Sequence, residues 1–191
     1  HRNFRKPLVL LTPKSLLRDE RSASPLAHFT EGSFRSVLDD PAEPEHNRVR
    51  RLVLCSGHIF YALQAARKQQ TPDHMALVRV EQLYPLPREE LQALFARSRR
   101  VDEVVWAQEE PRNMGAWSFI EPRLRELLPD HCVLSYQGRD EAASPATGSF
   151  GLHEVEEKAL VDRAPGAAAR DGQAEQGVKS DGAGLKQAAG G

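Results

Sequence analysis

Five short apolar runs punctuate the chain, and longer amphipathic stretches separate them. The runs cover residues 8–11, 52–55, 76–80, 104–107 and 132–136. Each is continuously apolar rather than alternating, which is typical of strands that are covered on both faces, as in parallel sheets. The pattern therefore predicts five buried strands.

Helical patterns lie between these runs. Ser56 can cap a helix whose apolar residues share one face, and Pro87 begins a second helix whose buried face is Leu91, Leu94 and Phe95. Two further helices are predicted over residues 122–128 and about 152–161. Strands that alternate with helices indicate an α/β fold, which we expect to be a doubly wound, mostly parallel five-stranded sheet with helices on both faces.

Two segments interrupt this pattern. Residues 39–51 are polar and contain proline, so we expect an exposed excursion before the second strand. From residue 164 onward the chain is rich in alanine and glycine and has few large apolar side chains, which predicts disorder. The expected organisation is one domain over residues 1–163 and a disordered tail over residues 164–191.

Composition and charge narrow the class of protein. The 191 residues are 40% hydrophobic, and 26 basic against 27 acidic residues give a formal net charge of -1. This balance of charges creates no overall positive potential that would attract nucleic acid or an anionic membrane. No apolar run approaches the roughly 20 residues that a bilayer-spanning helix needs. The chain begins with neither methionine nor a signal-like stretch, which suggests a piece of a longer protein.

The two cysteines, Cys55 and Cys132, lie far apart in apolar runs and match no zinc spacing. We expect both to be buried, reduced thiols. A reducing compartment, either the bacterial cytoplasm or the mitochondrial matrix, fits this expectation better than secretion.

Candidate chemistry lies at the carboxyl ends of the predicted strands, where ligands gather in open α/β sheets. Lys14, the turn at Ser56 and Gly57, and Arg139 could together hold a phosphate, although the favoured interpretation of Ser56 alone is a helix cap. His58 could act as a general base, but the sequence identifies no partner for it. The adjacent Glu109 and Glu110 should point in different directions, so we expect at least one structural contact there and no carboxylate dyad.

Five ordered blocks of sequence carry a family resemblance. They are residues 5–8 leading to 12–18, residues 55–57, residues 79–85, residues 108–111, and residues 138–139 followed by 144–148. As a set these blocks resemble the C-terminal domain of the 2-oxoglutarate dehydrogenase E1 component, from about Arg5 to Val161.

The resemblance implies a transketolase-like C-terminal domain of an enzyme that depends on thiamine diphosphate. In that family E1 is a homodimer that decarboxylates 2-oxoglutarate and passes the succinyl group to the lipoyl arm of E2, in a complex that also contains E3. Thiamine diphosphate and Mg²⁺ bind in earlier domains, and the Gly-Asp-Gly motif that begins the diphosphate site is missing from this sequence. We therefore expect no catalytic residue in this chain, no metal site, and a role in packing the dimer and its domains.

Family members can also bind a regulatory nucleotide, AMP or acetyl-CoA, in this domain. By resemblance the corresponding residues here are Thr12, Lys14, Arg18, Ser56, His58 and Gln108. The family commonly has lysine where this chain has His58, so the cation at this position would depend on pH.

Two alternatives stay open. Residues 113–117, Asn-Met-Gly-Ala-Trp, also resemble the related 2-oxoadipate dehydrogenase branch, whereas residues 12–15 and 144–148 favour 2-oxoglutarate. A free-standing regulatory module that binds a nucleotide is the second alternative. Nucleic-acid binding ranks well below both, because the arginines are scattered and the net charge is near zero.

Overall fold

The structure, a computed structural model, describes residues 5–7, 9, 14–70 and 74–163. Its centre is a five-stranded sheet in the order β1-β3-β2-β4-β5. The strands are β1 (Val37–Leu38), β2 (Arg51–Cys55), β3 (Met75–Val80), β4 (Glu103–Pro111) and β5 (Val133–Arg139). The helices are α1 (Lys14–Leu17), α2 (Ala27–Thr30), α3 (Ile59–Gln70), α4 (Arg88–Arg97), α5 (Trp117–Arg125) and α6 (Phe150–Arg163), with a 3-10 turn at Glu20–Ser22.

The central strands are buried on both faces, as their apolar runs predict. Successive side chains of β2 enter opposite clusters: Leu52 and Leu54 pack in one, Val53 and Cys55 in the other. Helices α4 and α5 cover the first cluster, and α3 and α6 cover the second. The predicted doubly wound α/β class is confirmed.

The edge of the sheet differs from the prediction. Most of the predicted strand over residues 8–11 lies outside the described residues, and Val9, which is described, has no regular structure and is 81% exposed. The fifth strand is instead Val37–Leu38, which pairs with β3 and is antiparallel. The other strand pairs, β2 with β3, β2 with β4 and β4 with β5, are parallel as expected.

Two helix starts also differ. Gly57 and His58 form a turn, so α3 begins at Ile59 and Ser56 lies too far back to cap it. The predicted helix over residues 122–128 begins earlier, at Trp117, and Pro122 lies inside it rather than at its start. The predicted buried face of α4 is confirmed, since Leu91, Leu94 and Phe95 are all buried.

The excursion over residues 39–51 is mostly exposed, but two of its residues are core residues. Val49 is fully buried, and the fully buried Asp40 carboxylate accepts the N–H of Leu77 at 2.8 Å and of Ala42 at 2.9 Å. Asp40 also forms an ion pair with Arg67 of α3. This segment is therefore anchored to the sheet by a buried charge.

Both cysteines are free thiols, as expected. Cys55 is buried, and burial raises the pKa of its thiol well above the ordinary value. Cys132 is only half-buried, and burial is again the main reason that its pKa is raised. Among the residues that the structure describes, no helix combines the length and the apolar character that a bilayer crossing requires. The predicted tail over residues 164–191 lies outside the described residues.

Candidate functional site

The order of the strands reverses at β2, because β3 lies on one side of it and β4 on the other, and this creates a crevice. Strands β2 and β4 are parallel neighbours, but the helices that follow them, α3 and α5, cover opposite faces of the sheet. Their connecting loops therefore diverge at the carboxyl ends of the strands, which is where ligands bind in doubly wound folds. A cavity of about 500 Å³ lies there, lined by Ser56, Gly57, His58, Leu83, Tyr84, Trp106, Gln108, Glu109, Glu110, Gly115, Ala116 and Phe119.

Gln108 organises the floor of this cavity. Its amide oxygen accepts hydrogen bonds of 3.0 Å from Nε1 of Trp106 and from the backbone N–H of Trp117. Its amide nitrogen donates to the carbonyl of Met114 at 2.8 Å, with longer contacts of 3.2 Å to two further carbonyls. Gln108 is only 4% exposed, so its hydrogen-bonding capacity is used within the protein.

Gly115 completes the turn around this amide. Its φ of +65° lies in the left-handed region, and a Cβ atom there would lie 2.9 Å from Nε2 of Gln108. Only glycine fits both the backbone conformation and the close approach. The turn between β4 and α5 is thus built on one buried side chain and one glycine.

His58 has a partner that the sequence does not identify. Its Nδ1 atom lies 2.7 Å from Oε1 of Glu109, and each side chain is 35% exposed. Glu157 of α6 brings a second carboxylate within 4.8 Å of the pair. Asp19 is also near: its pKa is lowered, first by the hydrogen bond from the Arg21 side chain and to a smaller extent by His58. His58 therefore sits among acidic groups.

As expected, at least one of the adjacent residues Glu109 and Glu110 makes a structural contact, and both line the cavity. Glu109 is half-buried against His58, whereas Glu110 is exposed. Arg139, a predicted phosphate ligand, is also engaged within the protein: its Nε donates to the carbonyl of Glu109 at 2.7 Å, and its guanidinium contacts Pro145 and Glu156. Arg139 thereby ties β5 to the end of β4 and to α6.

The six residues that the resemblance singles out divide into two groups. Ser56, His58 and Gln108 line the same cavity. Thr12 lies outside the described residues, Lys14 begins α1 but its side chain is not described, and Arg18 is exposed just after α1. The site residues missed from sequence are Glu109 as the partner of His58 and the aromatic wall of Tyr84 and Phe119, whose rings make an edge contact at 6.4 Å.

The described residues do not fit thiamine diphosphate. Their one grouping with metal-ligating potential is His58, Glu109 and Glu157, which places a nitrogen ligand where Mg²⁺ in such sites prefers oxygen. The negative charge beside it would also repel a diphosphate.

Comparison with known proteins decides the family. Residues 23–165 match the family described as 2-oxoglutarate dehydrogenase C-terminal. The chain belongs to this family. The match covers the sheet from β1 to β5 and all of the long helices, so the predicted resemblance is confirmed.

The relatives of this 2-oxoglutarate dehydrogenase C-terminal domain are much longer proteins. The 2-oxoglutarate dehydrogenase E1 component of Geobacillus sp. (strain WCH70) is 46% identical over 158 residues, which are 82% of this chain and 17% of that protein. The E1 component of Cupriavidus necator is 41% identical over 163 residues, 85% of this chain and 17% of the relative. The E1 component of Shouchella clausii is 44% identical over 163 residues, which are 84% of this chain and 17% of that protein. The chain thus spans about a sixth of the relatives it matches.

Proposed function

We propose that this domain is part of an E1 component that decarboxylates 2-oxoglutarate with thiamine diphosphate and Mg²⁺ bound in other domains. The observation that carries the proposal is the match of residues 23–165 to the family, together with E1 relatives 41–46% identical. The full enzyme would be a homodimer in the bacterial cytoplasm or the mitochondrial matrix. It would pass the succinyl group to a lipoyl-bearing E2 within a complex that includes E3.

The domain itself would contribute structure and regulation rather than chemistry. Titration calorimetry with thiamine diphosphate and Mg²⁺ tests this division of labour. The isolated chain should give no binding heat, and the full-length polypeptide that carries it should bind. Micromolar binding by the isolated chain would overturn the proposal.

We further propose that the cavity at the ends of β2 and β4 binds the nucleoside part of AMP or acetyl-CoA. The aromatic wall of Tyr84 and Phe119 suits a purine ring, and Ser56 offers a hydroxyl group. The carboxylates of Glu109 and Glu110 disfavour a phosphate inside the cavity, so the phosphate would need a cation outside it. Arg18, which is exposed, is the candidate.

Arg18→Ala tests this assignment, with the exposed Arg48→Ala as a charge-matched control. AMP and acetyl-CoA should bind the original chain and the control equally, and should bind Arg18→Ala about tenfold more weakly. Adenosine, which lacks the phosphate, should not distinguish the three proteins. Equal AMP binding by Arg18→Ala, or no binding by any of the proteins, would count against this site.

A further inference from the structure

Residues 23–35, called here the exposed segment, form an ordered excursion with no buried residue. Every residue in it is exposed, and its three large apolar side chains, Leu26, Phe29 and Phe34, are 76%, 73% and 72% exposed. Only Glu31 and Arg35 carry a formal charge. The core of a protein interface has the same composition, because it is poor in charged residues and rich in aromatic ones.

The backbone of the exposed segment is nonetheless fixed. The N–H of Phe29 donates to the carbonyl of Leu26 at 2.9 Å, and the N–H of Glu31 donates to that of Ala27 at the same distance. A Cβ atom at Gly32 would lie 2.9 Å from the carbonyl oxygen of His28, so the chain closes tightly behind α2. The apolar side chains are thus held in place without support from the core of this domain.

Both ends of the exposed segment are attached to the sheet. Before it, the Ser22 hydroxyl donates to the carbonyl of Leu16 at 2.6 Å, and Leu16 packs against the cluster under α3. After it, the carbonyl of Ser36 accepts the N–H groups of Glu81 and Gln82 at 2.8 and 3.2 Å. The exposed segment therefore ends beside the carboxyl end of β3.

Two further large apolar side chains are exposed close in sequence to the attachments of the exposed segment. Tyr84 lies two residues after Gln82, is 82% exposed, and forms part of the wall of the cavity. Leu17, 71% exposed, lies next to Leu16 at the start of the attachment. An exposed apolar segment such as residues 23–35 marks an interaction site in a folded protein.

We propose that the exposed segment is an interdomain surface, covered by the part of the same polypeptide that precedes this domain. The length of the relatives indicates what covers this surface. The matched family is a C-terminal domain, and the match spans 17% of each of two E1 relatives, so most of each relative precedes the matched region. The family match begins at residue 23, so the exposed segment belongs to the domain itself. The inference rests on the proposed function only in assuming that this longer polypeptide exists.

Hydroxyl-radical footprinting of the full-length polypeptide tests the surface. Phe60 and Phe95, 5% and 9% exposed, serve as buried references of the same residue type, and the urea-unfolded protein is the exposed reference. Phe29 and Phe34 should be oxidised as slowly as Phe60 and Phe95, and about tenfold more slowly than in urea. Val133 and Val155, 61% and 65% exposed on other surfaces, should be oxidised at their unfolded rates.

Each other outcome would overturn the proposal. Oxidation of Phe29 and Phe34 at the unfolded rate would mean that they face solvent. Protection that vanishes on dilution would assign the surface to a second copy, and protection that appears only when E2 is added would assign it to E2. Protection that is lost when the chain is truncated after Arg163 would assign it to residues 164–191. Assay of 2-oxoglutarate decarboxylation in the same sample separates this test from that of the proposed function, since protection without decarboxylation would count only against the latter.

Discussion

The side-chain oxygen of Gln108 accepts a 3.0 Å hydrogen bond from the backbone N–H of Trp117, the first residue of α5. A side chain on β4 thereby satisfies an N–H group that has no partner within its own helix. The same oxygen holds the indole N–H of Trp106, so one buried amide joins the strand, the turn and the helix.

Replacing the side chain of Gln108 should destabilise the folded domain. Gln108→Ala leaves the indole N–H of Trp106 and the backbone N–H of Trp117 buried and unpaired, which should lower the free energy of unfolding by about 3 kcal/mol. Gln92→Ala, an exposed glutamine on α4, is the matched control and should change it by less than about 0.5 kcal/mol. Urea unfolding followed by tryptophan fluorescence measures both variants. Equal effects would mean that the Gln108 network adds no stability.

Substitution of the neighbouring residues Asp40 and Asp39 by alanine should lower the free energy of unfolding by very different amounts. Asp40→Ala removes a fully buried carboxylate and leaves Arg67 and two backbone N–H groups without it, so we expect a loss of about 3–5 kcal/mol. Asp39, 43% exposed, pairs with Arg97 near the surface, and Asp39→Ala should cost less than about 1 kcal/mol. Comparison of the two urea midpoints checks the order, and a larger loss for Asp39→Ala would contradict it.

Two glycines provide a test of close packing. A Cβ atom at Gly138 would lie 2.1 Å from the hydroxyl of Tyr136 and 3.0 Å from the carbonyl oxygen of Gln108, so Gly138→Ala should destabilise by about 1–3 kcal/mol. A Cβ atom at Gly151, inside α6, would meet no described atom within 4 Å beyond its chain neighbours and the helix backbone, and Gly151→Ala should stabilise by about 0.5–1 kcal/mol. Thermal unfolding should therefore shift in opposite directions. An unchanged or higher midpoint for Gly138→Ala would show that space at Gly138 does not limit the side chain, and a lower midpoint for Gly151→Ala would contradict the second prediction.

Tyr136 should make the domain sensitive to alkali. Burial raises its pKa to about 12, against the opposing effects of a hydrogen bond with Gln108 and the charge of Arg112. Because the folded state holds this proton more tightly than the unfolded state, its contribution to stability is complete below about pH 10 and is lost as the pH rises towards 12. Absorbance at the tyrosinate wavelength, compared between the original chain and Tyr136→Phe, should assign the late ionisation to Tyr136. An unchanged titration curve would refute the assignment.

Continuous apolar runs were enough to predict four of the strands, because burial on both faces leaves a strong local pattern. The two-residue strand at Val37 and Leu38 leaves no such pattern, since it is held by backbone pairing with Val80 and Arg79. The start of α5 could not be predicted either. It depends on Gln108, nine residues earlier, and local rules favour Pro122 as a helix start.

The contact between His58 and Glu109 shows the same limit at the site. These residues are 51 positions apart and meet because Cys55 and Ala107 are paired at the ends of β2 and β4. The sequence predicts that both side chains follow strand ends, but it does not state which strands are neighbours. The contact also needs the turn at residues 57–58, which brings His58 back over the end of β4.

The most direct test of the central claim is transfer of an acyl group by the full-length polypeptide that carries this domain. The purified protein, with thiamine diphosphate and Mg²⁺, would be given 2-oxoglutarate or 2-oxoadipate and a lipoyl-bearing E2, and the mass of the lipoyl group measured. We predict succinylation from 2-oxoglutarate at a higher kcat/KM than glutarylation from 2-oxoadipate. No acylation, or a preference for 2-oxoadipate, would contradict the assignment to 2-oxoglutarate dehydrogenase.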